Sequence, residues 1–244
     1  MNSRGGTSAS SGDGGFAEAF EAAKGVRGWL TRAQAEDLYR AAAAVPGGAR
    51  VVEVGTHHGR SAIVLAFALP ADARLIAVDP FGSDWRYGAE GTEAACRANL
   101  AAAGVETKVE LRVATSQEVL AEWQGAAALV YIDGKHDYWS VRHDLGWAEV
   151  LPIGGVLFLH DAFSSLGVTL GLLRSLTTSR RLRYVGRTGS LARLEVGRPD
   201  RRDRLRPMRD LPWWGRNLVV KVALRLRLGP LLRLLRHHDV DDPF

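Results

Sequence analysis

At 244 residues with 46% hydrophobic content, the chain can bury one full core and keep some length for appendages, which argues against a second catalytic domain. The net charge of +5 is segregated: Arg180 to Arg236 hold sixteen arginines and Lys221 against four acids (+13), the last eight residues contribute −3, and residues 1–179 carry −5. A basic tail on an acidic body gives no ground for specific nucleic-acid binding by the whole molecule.

Met1 to Gly15 is rich in Gly and Ser and lacks an apolar signal-peptide core, so residues 1–15 read as a disordered leader on a protein of the cytoplasmic side. A catalytic domain is expected over 16–198 and a basic amphipathic extension over 199–244. Thr31-Arg32-Ala33-Gln34 has the form of a capping box, opening a helix through about Ala44 that stops at Pro46-Gly47-Gly48. A strand ending at Val54 follows, then helix Gly59 to Ala68, strand Arg74 to Val78 and helix Glu90 to Ala103. That last helix holds the sole cysteine, Cys96, which excludes an intramolecular disulfide and reads as a small buried residue in a reducing compartment. Strand Lys108 to Val113, helix Gln117 to Trp123, strand Ala127 to Ile132, helix Asp137 to Val150 and strand Gly155 to Leu159 follow, the last pair being the fourth αβ step and completing five strands of a parallel sheet. After a helix from about Leu166 to Thr177, Arg181 to Val185 and Ser190 to Val196 flank Gly186-Arg187-Thr188-Gly189 and read as a hairpin.

The first chemical motif is Val51-Val52-Glu53-Val54-Gly55-Thr56-His57-His58-Gly59-Arg60-Ser61-Ala62, a strand running into a glycine turn and a helix. Gly55 supplies backbone freedom, and Gly59 lets the helix start in close quarters. The dinucleotide fingerprint GxGxxG needs a second glycine where this chain has His57. An acidic first loop suits an ammonium and a sulfonium better than two phosphates, which favours S-adenosylmethionine over NAD. Asp79, at the tip of the second strand, stands where a doubly wound fold holds ribose hydroxyls.

The second motif is Tyr131-Ile132-Asp133-Gly134-Lys135-His136-Asp137-Tyr138, followed by Leu151-Pro152-Ile153-Gly154-Gly155 and by Leu159-His160-Asp161. With these in order from Ala49 to Asp161, the chain resembles the class I S-adenosylmethionine-dependent methyltransferases, and most closely the small-molecule branch with GTxxGRSA and IDGxHxY motifs. The branch has a PGG turn where this chain inserts Ile153 between Pro152 and Gly154. The resemblance implies an α/β Rossmann-like fold with a seven-stranded sheet of order 3-2-1-4-5-7-6 and an antiparallel last strand, flanked by helices, matching the hairpin of Arg181 to Val196. It implies Glu53, Gly55, Thr56 and Gly59 around the methionine half of the cofactor, Ser61 supporting the turn, and Asp79 on the ribose. Thr115 and Ser116 would lie near the adenine, where the family often has Gly-Asp or Gly-Asn-Ser and this chain has Ala114-Thr115. Asp133 would face the transferable methyl.

A hydroxyl acceptor must lose a proton, to a base or with help from a metal. His136 is the candidate base, with a loop-ordering histidine as the alternative. Asp133, His160 and Asp161 resemble the carboxylate-rich divalent-metal site of catechol-type O-methyltransferases, although magnesium prefers oxygen to the imidazole of His160. Asp161 could instead cap a helix. Trp85 and Tyr87 could stack on an acceptor or anchor their loop. The expected activity is O-methylation of a small molecule, sugar or lipid-linked glycan. The alternatives are an NAD-dependent oxidoreductase and a non-catalytic membrane-associated protein retaining the fold.

Beyond the last strand, Leu211-Pro212-Trp213-Trp214 leads into Leu218, Val219, Val222 and Leu226 at helical spacing, with Arg216, Lys221 and Arg225 offset. Charges recur too often for a spanning helix. A basic amphipathic helix of this kind can lie on an anionic membrane, here the inner face, and is then dispensable for cofactor binding. The other reading is a helix packed on the catalytic domain or, in a homodimer, on a second subunit.

Overall fold

The computed structural model describes residues 10–82 and 90–227. Seven strands, β1 Arg50–Val54, β2 Arg74–Val78, β3 Val109–Arg112, β4 Leu129–Ile132, β5 Val156–Leu159, β6 Leu182–Thr188 and β7 Leu191–Val196, form one sheet. Their order is β3-β2-β1-β4-β5-β7-β6, with β1 to β5 parallel and β7 antiparallel to both β5 and β6. The expected order and reversed last strand are both present.

Strand alternation builds two cores. Val51, Leu75, Leu129, Tyr131 and Phe158 face one side, beneath helices α1 Ser10–Lys24, α2 Arg32–Ala43, α3 Arg60–Ala68 and α4 Thr92–Ala102. Val52, Val54, Ile76, Val130, Ile132 and Leu157 face the other, beneath α5 Ser116–Ala121, α6 Tyr138–Asp144 and α7 Leu166–Thr178. The capping box at Thr31 is formed: Gln34 N–H donates to Thr31 Oγ1 at 3.3 Å and Thr31 N–H to Gln34 Oε1 at 2.9 Å.

Four elements differ from expectation. Helix α1 begins at Ser10, inside the stretch read as a leader, because Phe16, Ala19 and Ala23 make an apolar stripe that packs under α3 despite the nearby glycines. The helix expected from Asp137 to Val150 is α6 followed by a 3-10 turn over Leu145–Val150, with Asp137 as the cap accepting from the N–H groups of Trp139 and Ser140. The hairpin loop shrinks to Gly189-Ser190: β6 runs on through Thr188, with a register slip between Tyr184 and Gly186. Gly189 takes φ +57° at this turn, and Ser190 is held by Gln34 Nε2 at 3.0 Å.

The fourth difference is the tail. Helices α8 Arg201–Leu205 and α9 Leu211–Arg225 are docked on the domain, as the packing alternative requires. Asn217, Val220 and Ala223 are fully buried, and Asp210 accepts from Tyr184 Oη at 2.6 Å and Arg187 Nε at 2.7 Å. Arg204 caps the end of α7 through the carbonyls of Leu176 and Thr177. No described helix is long and apolar enough to cross a membrane.

Candidate active site

The parallel ladder delivers the candidate residues to one edge of the sheet. Beyond the strands it continues as Gly55 N–H to Val78 O (2.8 Å), Asp133 N–H to Val54 O (2.8 Å), His160 N–H to Ile132 O (2.9 Å) and Asp79 N–H to Arg112 O (3.1 Å). Gly55, Asp79, Asp133 and His160 therefore emerge side by side at the carboxyl ends, where open α/β sheets hold ligands. Gly55 has φ +89°, and a Cβ there would run into the backbone of Asp133. Both oxygens of Asp79 accept backbone N–H groups at 2.8 Å, Oδ2 from His57 and Oδ1 from Phe81. His57 and Phe81 each have φ +49°, so one carboxylate ties down two left-handed loop residues.

Between β4 and β5 four ionisable groups converge. His136 places Nδ1 3.2 Å from Asp161 Oδ2 and Nε2 3.4 Å from Asp133 Oδ1. His160, buried, brings Nδ1 to 3.3 Å from Asp133 Oδ1 and 3.7 Å from Asp161 Oδ1. Tyr131, one strand period before Asp133 and fully buried, donates its hydroxyl to Asp133 Oδ2 at 3.1 Å. Asp161 has φ +56° and accepts from Ser164 Oγ at 3.2 Å, while Ser165 caps α7, so Asp161 is not the cap of that helix.

A family model described as a methyltransferase domain matches residues 52–162, a span that contains this whole edge except the tail contacts. Residues 52–162 are a class I S-adenosylmethionine-dependent methyltransferase domain. Among solved structures, the O-methyltransferase TomG from Streptomyces achromogenes, in complex with S-adenosylmethionine, is 19% identical with a TM-score of 0.55, covering 75% of this chain and 89% of that one. The O-methyltransferase from Bacillus cereus in complex with S-adenosylhomocysteine is also 19% identical with a TM-score of 0.55, covering 76% and 91%. The S-adenosylhomocysteine-bound methyltransferase PaMTH1 from Podospora anserina is 14% identical with a TM-score of 0.57, covering 81% and 100%. At these identities they establish the fold.

The electrostatics of the methyltransferase site follow from burial and neighbours. Burial alone would raise the Asp133 carboxyl, but His160 and His136 outweigh it and hold Asp133 well below the usual carboxylate range. For His136 burial opposes the charge, and the hydrogen bond it donates to Asp133 together with the charge of Asp161 more than offsets it, so its pKa lies above the ordinary value. Glu53 is different: burial pushes its carboxyl up to about 8, moderated by the hydroxyls of Ser61 and Thr56. It is fully enclosed, Ser61 Oγ donates to its Oε1, and its Oε2 meets no hydrogen-bond donor.

The other expected site residues have visible structural duties. Gly59, φ +88°, starts α3 against Cys96, whose thiol burial pushes up to about 12 and makes inert. Thr56 is buried beside Glu53. Thr115 forms a capping box with Glu118 on α5, and Ser116 Oγ accepts from Trp147 Nε1 at 2.9 Å. The rings of His57 and His58 meet edge to face at 4.2 Å. Trp85 and Tyr87 lie outside the described residues.

Sequence reasoning missed three contributors. Tyr131 was signalled by its period-two relation to Asp133. Asn217 Nδ2 donates to Phe163 O at 3.0 Å and Lys221 Nζ to Ser164 O at 2.8 Å, bracing the turn after Asp161 from α9. Nothing local in the sequence marks those two, since their partners lie more than fifty residues away.

Proposed function

We propose that this methyltransferase moves a methyl group from S-adenosylmethionine onto a hydroxyl oxygen of a small molecule, sugar or lipid-linked glycan. The observation that carries the reading is His136, set between Asp133 and Asp161 at two adjacent strand ends beside the Gly55 turn. S-adenosylmethionine supplies an electrophilic methyl on a cationic sulfur. The chain's own groups fit such a ligand: Glu53 Oε2 is buried without a hydrogen-bond partner and would accept from an ammonium once the carboxyl gives up its proton, and Gly55 exposes backbone where a side chain cannot stand. Glu53, Gly55, Thr56, Gly59 and Ser61 would hold the methionine half, Asp79 the ribose, and Thr115 with Ser116 the adenine side.

His136 in its neutral form would take the proton of the acceptor hydroxyl as the methyl group is transferred and S-adenosylhomocysteine is left as the second product. Asp133 and Asp161 orient the ring and stabilise the imidazolium that results. Positioning of the acceptor oxygen by the chain would supply much of the acceleration. The Streptomyces and Bacillus cereus proteins are O-methyltransferases by name, which supports an oxygen acceptor here.

A second reading is favoured by one observation: Asp133, His160 and Asp161 offer ligand atoms that all lie within 4.8 Å of one another. Those three residues would hold a divalent ion, which would lower the pKa of the acceptor hydroxyl. Their mixed nitrogen and oxygen donors suit a borderline ion such as zinc better than magnesium. Calorimetric titration with S-adenosylhomocysteine and with NAD tests the cofactor: heat with the first alone is expected, and heat with NAD alone would overturn the reading. Turnover that survives chelation selects the histidine mechanism, and turnover abolished by chelator and restored by a divalent ion selects the metal.

A further inference from the structure

We propose that the outer face of α9, together with the α8 segment before it, docks on an anionic lipid bilayer. The inner face of α9 is spent on the domain through Asn217, Val220 and Ala223. On the opposite face Val219, Val222 and Leu226 stand 45%, 57% and 62% exposed at spacings of three and four, so they share one stripe. Leu205 and Met208 are exposed just upstream.

The charges around this apolar surface are one-sided. Arg198, Arg201, Arg202, Arg209, Arg225 and Arg227 are exposed. Of the three acids of residues 198–227, Asp203 pairs with Arg183 at 3.0 Å and Asp210 with Arg187 at 2.7 Å, which leaves the exposed helix cap Asp200, accepting from the N–H of Asp203, as the one acid facing solvent among these residues. The arginines thus face solvent with little local neutralisation. Aliphatic side chains interleaved with arginine match a bilayer interface, where methyl groups enter the acyl boundary and guanidinium groups meet anionic headgroups. A second copy would bring the same positive face and be repelled. Nucleic acid would neutralise the arginines and leave the aliphatic stripe without a partner.

The surface is one helix thickness from the chemistry. Asn217 and Lys221, on the inner side of α9, hold the carbonyls of Phe163 and Ser164 in the turn that carries Asp161. Docking would hold the site against the membrane, where an acceptor with a lipid anchor is presented; the docking itself does not depend on the acceptor being an oxygen.

The test is co-sedimentation of the full chain with vesicles of phosphatidylcholine alone and of phosphatidylcholine mixed with phosphatidylglycerol. The protein is expected to sediment with the mixed vesicles only, and to be released by added salt. A Val219→Ser/Val222→Ser/Leu226→Ser variant and, separately, an Arg201→Glu/Arg202→Glu/Arg209→Glu variant should each lower the vesicle partition coefficient by about tenfold or more at unchanged S-adenosylhomocysteine affinity. Wild-type protein that stays in solution with phosphatidylglycerol vesicles would overturn the proposal. So would both variants binding like wild type, or a dimer in lipid-free solution that the apolar variant disperses, which would assign the face to a second copy. If the apolar variant does not fold, the arginine variant decides.

Discussion

The backbone carbonyl of Asp133 fills the space that a side chain on Gly55 would need, so the loops after β1 and β4 are pressed together at the centre of the site. Gly55 also sits at φ +89°, where a β-carbon is strained in its own right. The replacement Gly55→Ala should therefore cost about 2–5 kcal/mol, combining left-handed strain with overpacking. Denaturant unfolding measures it, and a variant as stable as wild type would mean that the two loops are not in contact.

His136 should be tested for turnover and for pH together. Substitution by Ala is expected to lower kcat by about 10²- to 10⁴-fold with little change in cofactor affinity. Because its pKa is raised above 6.5, the rate of the wild type should climb with pH along a limb centred above that value. The same shift makes a stability statement: His136 stabilises the fold fully below its unfolded pKa, and that contribution fades as pH rises through the folded value. His136→Ala should thus lose most stability relative to wild type in acid and least in alkali. Wild-type turnover in the variant removes the base assignment.

Asp79 combines two duties, and a substitution should show both. Asp79→Ala is expected to weaken S-adenosylmethionine binding by about 1.5–3 kcal/mol if both ribose bonds are charge-assisted. It should also lower the melting temperature, because His57 and Phe81 lose the acceptor for their N–H groups. An unchanged dissociation constant with a lowered melting temperature would assign Asp79 to loop order alone.

Glu53 makes the protein's stability depend on pH in the opposite sense to an ordinary carboxylate. Its folded pKa of about 8 exceeds the ordinary 4.5, so the folded state keeps a proton that the unfolded chain has released. That proton's stabilisation is complete below the unfolded value and is lost as pH climbs from 4.5 toward 8. Glu53→Gln, which cannot titrate, should flatten this decline between those limits. Parallel stability profiles for the two proteins from pH 5 to 8 would show that Glu53 does not hold the proton.

The sheet was legible because short continuous apolar runs, buried on both faces, are punctuated by Gly and Pro, and because Gly55, Asp133 and His160 each follow directly on a parallel strand. Parallel neighbours bring such ends together whatever the loops do. The reach of His136 to Asp161 was less legible, since it depends on how the loop after Asp133 turns. Helix α1 was hidden by Gly12, Gly14 and Gly15, whose propensity is overridden by Phe16 packing against Tyr39 and beneath Arg32. The α9 contacts were invisible because Asn217 reads as a polar break in an apolar stripe until its partner, Phe163 O, is known.

That partner sets the last prediction, in which the segment from Leu211 onward, expected to be dispensable for cofactor binding, is required for turnover and stability. Asn217 is fully buried and bonded to Phe163 O, and Phe163, φ +58°, stands two residues after Asp161, φ +56°. Two left-handed residues in one short turn persist only if neighbours hold them. Asn217→Leu keeps the bulk but leaves the Phe163 carbonyl without its donor, at a cost of about 1–3 kcal/mol. Relaxation of the turn should then move Asp161 away from His136, lowering kcat while S-adenosylhomocysteine affinity, set by the Gly55 and Asp79 loops, is retained. Truncation before Leu211 should do the same more severely and lower the melting temperature, because Trp213, Trp214 and Val220 would no longer cover the core beneath them. A truncated protein with wild-type melting temperature and turnover would show that α9 does not brace the site.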